Sequence, residues 1–256
     1  MLKIDLNADL GESFGNYTCG MDSEVLRSIS SANVACGFHA SDPLVMAKTV
    51  ALAAERGVAV GAHPGYPDLV GFGRRNMTVS PAELKAMVQY QVGALGAFCR
   101  ARGIPMQHVK PHGAMYNMAG KDPRLAAAIC EGIAESAPEL ILLGLSGSCL
   151  IDAAKAAGLR CACEVFADRA YEADGSLVAR GKPGAMITDE DEAIARVVRM
   201  ALTGTVTAIT GETIPVRADS VCLHGDNPKA VDFARRIRQA LEENGVTVAP
   251  IAEVIG

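Results

Sequence analysis

Ala32-Asn33-Val34-Ala35-Cys36, then an Ala-rich run from Pro43 to Arg56 closed by Gly57, then Val58-Ala59-Val60-Gly61: this stretch decides the fold. Two apolar runs of strand length flank a segment with Pro at its first position and Gly just past its last, which is the asymmetry of a helix. Strand, helix and strand in that order join two parallel strands through a helical crossover. The unit recurs in both directions. Leu2–Leu6 reads as a strand and Glu24–Ile29 as a short helix; Ser80 caps a long helix over Pro81–Arg102 that Gly103 ends, and His108–Lys110 is the next strand. Arg124–Ser136, Leu140–Leu143, Gly147–Ala157 and Arg160–Val165 continue the alternation. A helix over Asp189–Leu202, a strand over Ser220–Leu223, a helix over Pro228–Asn244 and a short strand at Val246–Val248 complete it. About seven repeats in one unit predict a (β/α) barrel of parallel strands, closed or nearly so. No linker or charge block divides the chain, so residues 1–256 are expected to form one α/β domain. Thr205–Val216 breaks the rhythm and reads as a hairpin around Gly211.

Half of the 256 residues are hydrophobic and 21% are charged, enough for a large core. Aromatics make up 4% and Trp is absent, so Ala, Val, Leu and Ile must fill that core. The net charge of −5 argues against a nucleic-acid partner, which would require a cationic surface. Arg235-Arg236-Ile237-Arg238 reads as the solvated face of a helix. No apolar run is long enough for a bilayer, and Met1–Asn7 reads as a first strand rather than a secretion signal. The eight cysteines are scattered; Cys36, Cys99, Cys130, Cys149 and Cys222 lie in apolar runs and read as small buried side chains. A reducing cytoplasm is the expected compartment.

Function-capable residues gather where strands end. Asn7, Asp9 and Glu12 follow the first strand, His39 the second, and His63 the third; Lys110 and His112 close the fourth, Glu164 and Arg169 the sixth, and His224 and Asp226 the seventh. The loops at the opposite ends, such as Ala101–Gln107, are plain. In a parallel barrel the loops after the strands converge on one mouth, where catalytic groups gather. One histidine there would read as structural. Four of the five, each beside carboxylates and Gly or Pro turns, read as a centre for acid–base chemistry. Gly144-Leu145-Ser146-Gly147-Ser148 precedes a helix and is either an anion-holding helix start or a plain capped turn. No P-loop, dinucleotide fingerprint or H-E-x-x-H motif occurs.

Several longer strings carry a resemblance. Asp5–Glu12 (DLNADLGE), Asn33–His39 (NVACGFH), Gly61–Asp68 (GAHPGYPD), Gly71–Arg75 (GFGRR), Val109–Ala114 (VKPHGA), Glu164–Arg169 (EVFADR) and Cys222–Asp226 (CLHGD), in that order, resemble the LamB/YcsF family. Ser41 stands where that family is expected to have Gly. The resemblance implies a barrel of glycoside hydrolase/deacetylase type and a share in ATP-dependent 5-oxoprolinase, with partner subunits B and C. It implies that ATP is handled with those partners and that 5-oxoproline is opened to L-glutamate. The expected division of labour is activation of the lactam by the partners and ring opening here. Ring opening needs a base, a donor for the oxyanion or phosphate, and an acid for the leaving nitrogen. Asp9 is the expected base, His63 or His112 the acid, and Lys110 the charge stabiliser. Arg74 or Arg169 is expected on the substrate carboxylate, with Asn7, Glu12, His39, Glu164, His224 and Asp226 around the substrate. No residue is assigned as a metal ligand, and a divalent metal and self-association are left open. Two rival readings stand beside this one: a metal-dependent deacetylase or amidohydrolase of an N-acyl or carbohydrate substrate, and a scaffold component without catalysis of its own.

Overall fold

A computed structural model describes residues 2–179, 181–223 and 228–256. In chain order the strands are β1 (Leu2–Leu10), β2 (Ser31–Ala35), β3 (Ala59–His63), β4 (Met106–Val109), β5 (Ile141–Leu145), β6 (Cys161–Phe166), β7 (Thr205–Thr207), β8 (Thr213–Pro215), β9 (Ser220–Leu223) and β10 (Val246–Val248). The helices are α1 (Asp22–Val25), α2 (Pro43–Arg56), α3 (Pro81–Ala101), α4 (Gly113–Ala119), α5 (Pro123–Ser136), α6 (Cys149–Ala156), α7 (Glu190–Thr203), α8 (Pro228–Glu243) and α9 (Ile251–Ile255). Strands β1 to β6 pair in sequence, β6 pairs with β9, and β9 returns to β1, so a seven-stranded parallel barrel closes. β10 adds to the start of β1, and β7 and β8 form the expected antiparallel hairpin. No helix among the described residues is long and apolar enough to cross a membrane.

Local chemistry explains the helix ends. The Asp42 carboxylate accepts from the Leu44 and Val45 amides at 2.8 and 3.0 Å to start α2, and Gly57 ends it at φ 66°. Ser80 and Glu83 form a reciprocal capping box at α3. The sequence reading misses α4 and α9, which are too short to show a helical period.

β1 departs from its expected length. The polar residues after Leu6 predict a loop, yet β1 continues to Leu10, pairing Asp9 with Asn33 and Leu10 with Val34. Alternation explains this. Ile4, Leu6, Ala8 and Leu10 belong to the apolar layer between strands and helices, where each fully buried large side chain contributes about 1.5–3 kcal/mol. Asp5, Asn7 and Asp9 point the other way, into the barrel, where they meet polar side chains from strands on the far side. At the N-terminal end α9 packs against β1, β4 and β6, and Ile251 clusters with Ile141, Leu143 and Ala162 to close the barrel floor.

Candidate active site

The inside of the barrel is a hydrogen-bonded stack that rises to the mouth. At its base Asp5 accepts from Ser30 and Ser31 hydroxyls at 2.7 and 2.6 Å and from Ser220. Burial pushes the Asp5 carboxyl up to about 6 against those three hydroxyl donors. One level higher, Asn7 donates to Glu164 at 3.0 Å and Ser220 at 2.8 Å, and accepts from Asn33 at 2.7 Å. His108 Nε2 donates to Asn33 Oδ1 at 2.7 Å, while Gln107 donates to its Nδ1 at 3.2 Å. This pattern fixes the neutral ring with its proton on Nε2. Burial, then the Lys110 charge, takes His108 down to about 3, in keeping with that state.

Above this level sits an ionic cluster. Lys110 Nζ lies 2.7 Å from Glu164, 3.2 Å from Asp9, 3.1 Å from Asn7 Oδ1 and 3.2 Å from Cys222 Sγ. Burial opposes the Lys110 charge, but Asp9 and Glu164 outweigh it and hold the ammonium well above its ordinary range. Tyr116 donates to the other Glu164 oxygen at 2.7 Å. Burial pushes the Asp9 carboxyl up, yet the facing His63 and Lys110 charges prevail and hold it well below the carboxylate range. The ammonium is thus enclosed by two carboxylates, an amide oxygen and a thiol.

The histidines form the third level. His63 Nδ1 lies 2.6 Å from the Lys110 carbonyl and His112 Nε2 lies 2.8 Å from the Phe72 carbonyl. Carbonyls only accept, so both of those nitrogens carry hydrogen. The remaining nitrogens, His63 Nε2 and His112 Nδ1, face each other at 3.0 Å, with Asp9 Oδ2 3.3 Å from the first and Glu12 Oε1 3.6 Å from the second. Two bare lone pairs repel at that distance, so the pair is poised to take up a proton or a cation between the rings. His39 stacks on His112 with ring centroids 3.7 Å apart and sets Nε2 3.4 Å from Glu12 Oε1. Burial, then the charges of the neighbouring histidines, lowers His39 well below its ordinary value, and the same order of causes takes His112 to about 3. Glu12, His39, His63 and His112 each offer a ligand atom within 4.8 Å of the others. Three imidazoles and a carboxylate suit a divalent ion of the zinc class, and the outer hydrogen bonds that fix the His63 and His112 rings are those that ligating histidines need.

Backbone geometry makes this crowding possible. A Cβ on Gly65 would lie 2.5 Å from His39 Nδ1, so only glycine fits beside that ring. Phe72 adopts φ 53°, sterically costly for a side chain of this size, and thereby aims its carbonyl at His112.

Asn7, Asp9, Glu12, His39, His63, Lys110, His112 and Glu164 thus come together as expected, although Asn7, Asp9, His63 and Glu164 lie within strands rather than after them. Arg74 is exposed at the rim with its guanidinium 5.2 Å from the Phe72 ring, whereas Arg75 is tied to Asp68. Arg169 is buried to one side, donating to the Val178 carbonyl at 2.7 Å beside a separate cavity. His224 and Asp226 lie outside the described residues. The sequence reading passes over His108, Asn33, Tyr116 and the polar side of Cys222. His108 was within reach: it lies two residues before Lys110 in β4, so the two share the inward face.

Fold and site together define a closed parallel barrel with a histidine–carboxylate centre at its C-terminal mouth. Residues 4–256 match the LamB/YcsF family, and the chain belongs to that family. The 5-oxoprolinase A subunit of Clostridium beijerinckii is 65% identical, covering 99% of this chain and 100% of that one. The protein of the same name from Thermococcus onnurineus is 58% identical over 99% and 100% of the two chains. The crystal structure of a lactam utilization protein from Thermus thermophilus superposes with TM-score 0.93 and 50% identity, over 97% of this chain and 99% of that one. A family 4 carbohydrate esterase from Streptomyces lividans shares the fold alone, with TM-score 0.53 and 11% identity over 96% and 91% of the chains.

Proposed function

We propose that this chain is the ring-opening component of an ATP-dependent 5-oxoprolinase that works with partner subunits B and C. The partners phosphorylate the lactam oxygen with ATP. This chain adds water to the activated ring carbon and breaks its bond to nitrogen, and a second water releases phosphate to leave L-glutamate. The observation that carries the reading is the exposure of Asp9. Its side chain is 27% accessible at the mouth, against 1% for His63, 4% for Lys110 and 0% for Glu164. An Asp9 carboxyl held so low is a weak proton acceptor alone. His63, 3.3 Å away, takes the proton from water, Asp9 steadies the imidazolium, and the same proton goes to the leaving nitrogen. His112 stays neutral and positions His63. Arg74, which unlike Arg75 has no carboxylate partner among the described residues, meets the substrate carboxylate at the rim.

The test is glutamate formed from 5-oxoproline and ATP by the partner subunits, with and without this chain. Asp9→Ala and His63→Asn should each lower turnover about 10²–10⁴-fold. Partners that suffice alone, or an Asp9→Ala chain as active as wild type, would end this reading.

A second reading, a metal-dependent hydrolase of an N-acyl or carbohydrate substrate, draws support from the four clustered donors Glu12, His39, His63 and His112. A divalent ion held there would polarise a substrate oxygen as a Lewis acid. Metal analysis of the purified chain, with Glu12→Gln and His39→Ala as controls, tests the site. ATP-dependent turnover that survives stripping of this chain alone argues against that chemistry.

A further inference from the structure

The run Ser146-Gly147-Ser148 takes no part in the centre described above, yet it ends at a cavity of about 830 Å³ beside it. Tyr116 lines that cavity and also binds Glu164, so the two sites share a wall. Ser148 is the N-cap of α6, where a serine ordinarily accepts from an amide of the first helical turn. Here its side chain makes no capping bond. Ser148 is only 7% exposed, and its hydroxyl has no hydrogen-bond partner among the described residues. A buried hydroxyl without a partner is destabilising, so its place at the cavity wall points to a ligand that completes it. The start of α6 contributes the positive end of a helix dipole at the same place. Lys121 adds an exposed ammonium on the cavity wall, while Lys182, also on the wall, is tied to Glu172 at 2.9 Å.

We propose that this cavity is a phosphate-binding subsite, with Ser148, the α6 N-terminus and Lys121 holding the phosphoryl oxygens of an activated substrate whose ring reacts at Asp9 and His63. The assignment rests on the ring-opening reading for its choice of ligand. The cavity is far larger than a five-membered lactam needs. The carboxylate of that lactam already has Arg74 at the rim, which leaves the phosphoryl group as the anion to be housed.

Inorganic phosphate is the probe. Titrated into the ¹⁵N-labelled chain, it should shift the Gly147 and Ser148 amides, and Ser148→Ala should weaken binding at least tenfold. Lys121→Gln, a surface change that leaves the fold intact, should weaken it about threefold, and melting curves check both variants. Absence of shifts at Gly147 and Ser148, or equal affinity in the two variants and wild type, overturns the subsite. Displacement of phosphate by equimolar 5-oxoproline overturns the choice of phosphate and makes the cavity a carboxylate site. Glutamate assays with the partner subunits separate the two claims. Phosphate bound through Ser148 without glutamate formation leaves the subsite and removes the ring-opening role. Full turnover with unchanged kcat and KM in Ser148→Ala does the reverse.

Discussion

Replacing Lys110 by Met removes the cation at the centre of the barrel while keeping most of its volume. In the native chain the ammonium lies 2.7 Å from Glu164 and 3.2 Å from Asp9. At an effective dielectric constant of about 20 each contact is worth about 5–6 kcal/mol before desolvation. Burying the ammonium cancels several kcal/mol of that, and loss of one member of a buried pair costs about 3–5 kcal/mol in practice. For a chain near this size the melting temperature should fall roughly 6–20 °C. Urea unfolding of wild type, Lys110→Met, Glu164→Gln and the double variant makes the cycle. The double variant should lose about 2 kcal/mol less than the two single losses added, because each single change leaves an unbalanced buried group. The Lys110→Met penalty should also shrink as pH falls through the carboxylate range, since a protonated carboxyl no longer requires the cation. A loss below about 1 kcal/mol that is flat with pH would refute a buried ionic anchor, because that is the value of a surface pair.

Three other outcomes follow from the same interior, and a fourth from its rim. His108 is buried neutral, with its value lowered from 6.5 to about 3. Its contribution, up to about 5 kcal/mol, is therefore complete above pH 6.5 and lost as pH falls towards 3, and His108→Gln should flatten that part of the stability–pH curve. Asp5 acts in the opposite sense: with its carboxyl raised to about 6, its share of about 3 kcal/mol is present below pH 4 and lost as pH rises through 6, which a ¹³C titration of the Asp5 carboxyl should locate. Gly61→Ala would drive a Cβ into the His108 ring; it should cost about 1–3 kcal/mol, and much of that loss should disappear in a His108→Ala background if the ring is the obstacle. Ser41 sits at φ 77°, so Ser41→Gly should raise stability by about 0.5–1 kcal/mol in thermal unfolding.

The barrel was legible because its punctuation is local. Pro43 and Gly57, or Ser80, Pro81 and Gly103, mark helix ends without reference to the rest of the chain, and the repeat then implies a parallel sheet. The mouth was legible from strand ends for the same reason. What stayed hidden depends on contacts across the barrel. The end of β1 is misplaced because Asn7 and Asp9 look like loop residues unless Glu164, Asn33 and Lys110 are known to face them. Arg74 and Arg75 are indistinguishable as neighbours, and only the pairing of Arg75 with Asp68 separates them. The Ser41 departure from the expected Gly has no visible meaning until its positive φ supplies one.

The alternation along β1 has a consequence for how this chain accepts change. Its even-numbered residues from Ile4 to Leu10 face an apolar layer, where shape and volume decide and one hydrocarbon can stand in for another. Its odd-numbered residues Asp5, Asn7 and Asp9 are knots in one polar mesh, where a substitute must reproduce donors and acceptors as well as size. Saturation libraries of this strand should therefore show tolerance beating with a period of two, permissive then strict, all the way to the mouth. The strict beats fall on residues that hold the barrel together and prepare its chemistry at once, so heritable drift in scaffold and in reactivity is confined to the same narrow set of positions.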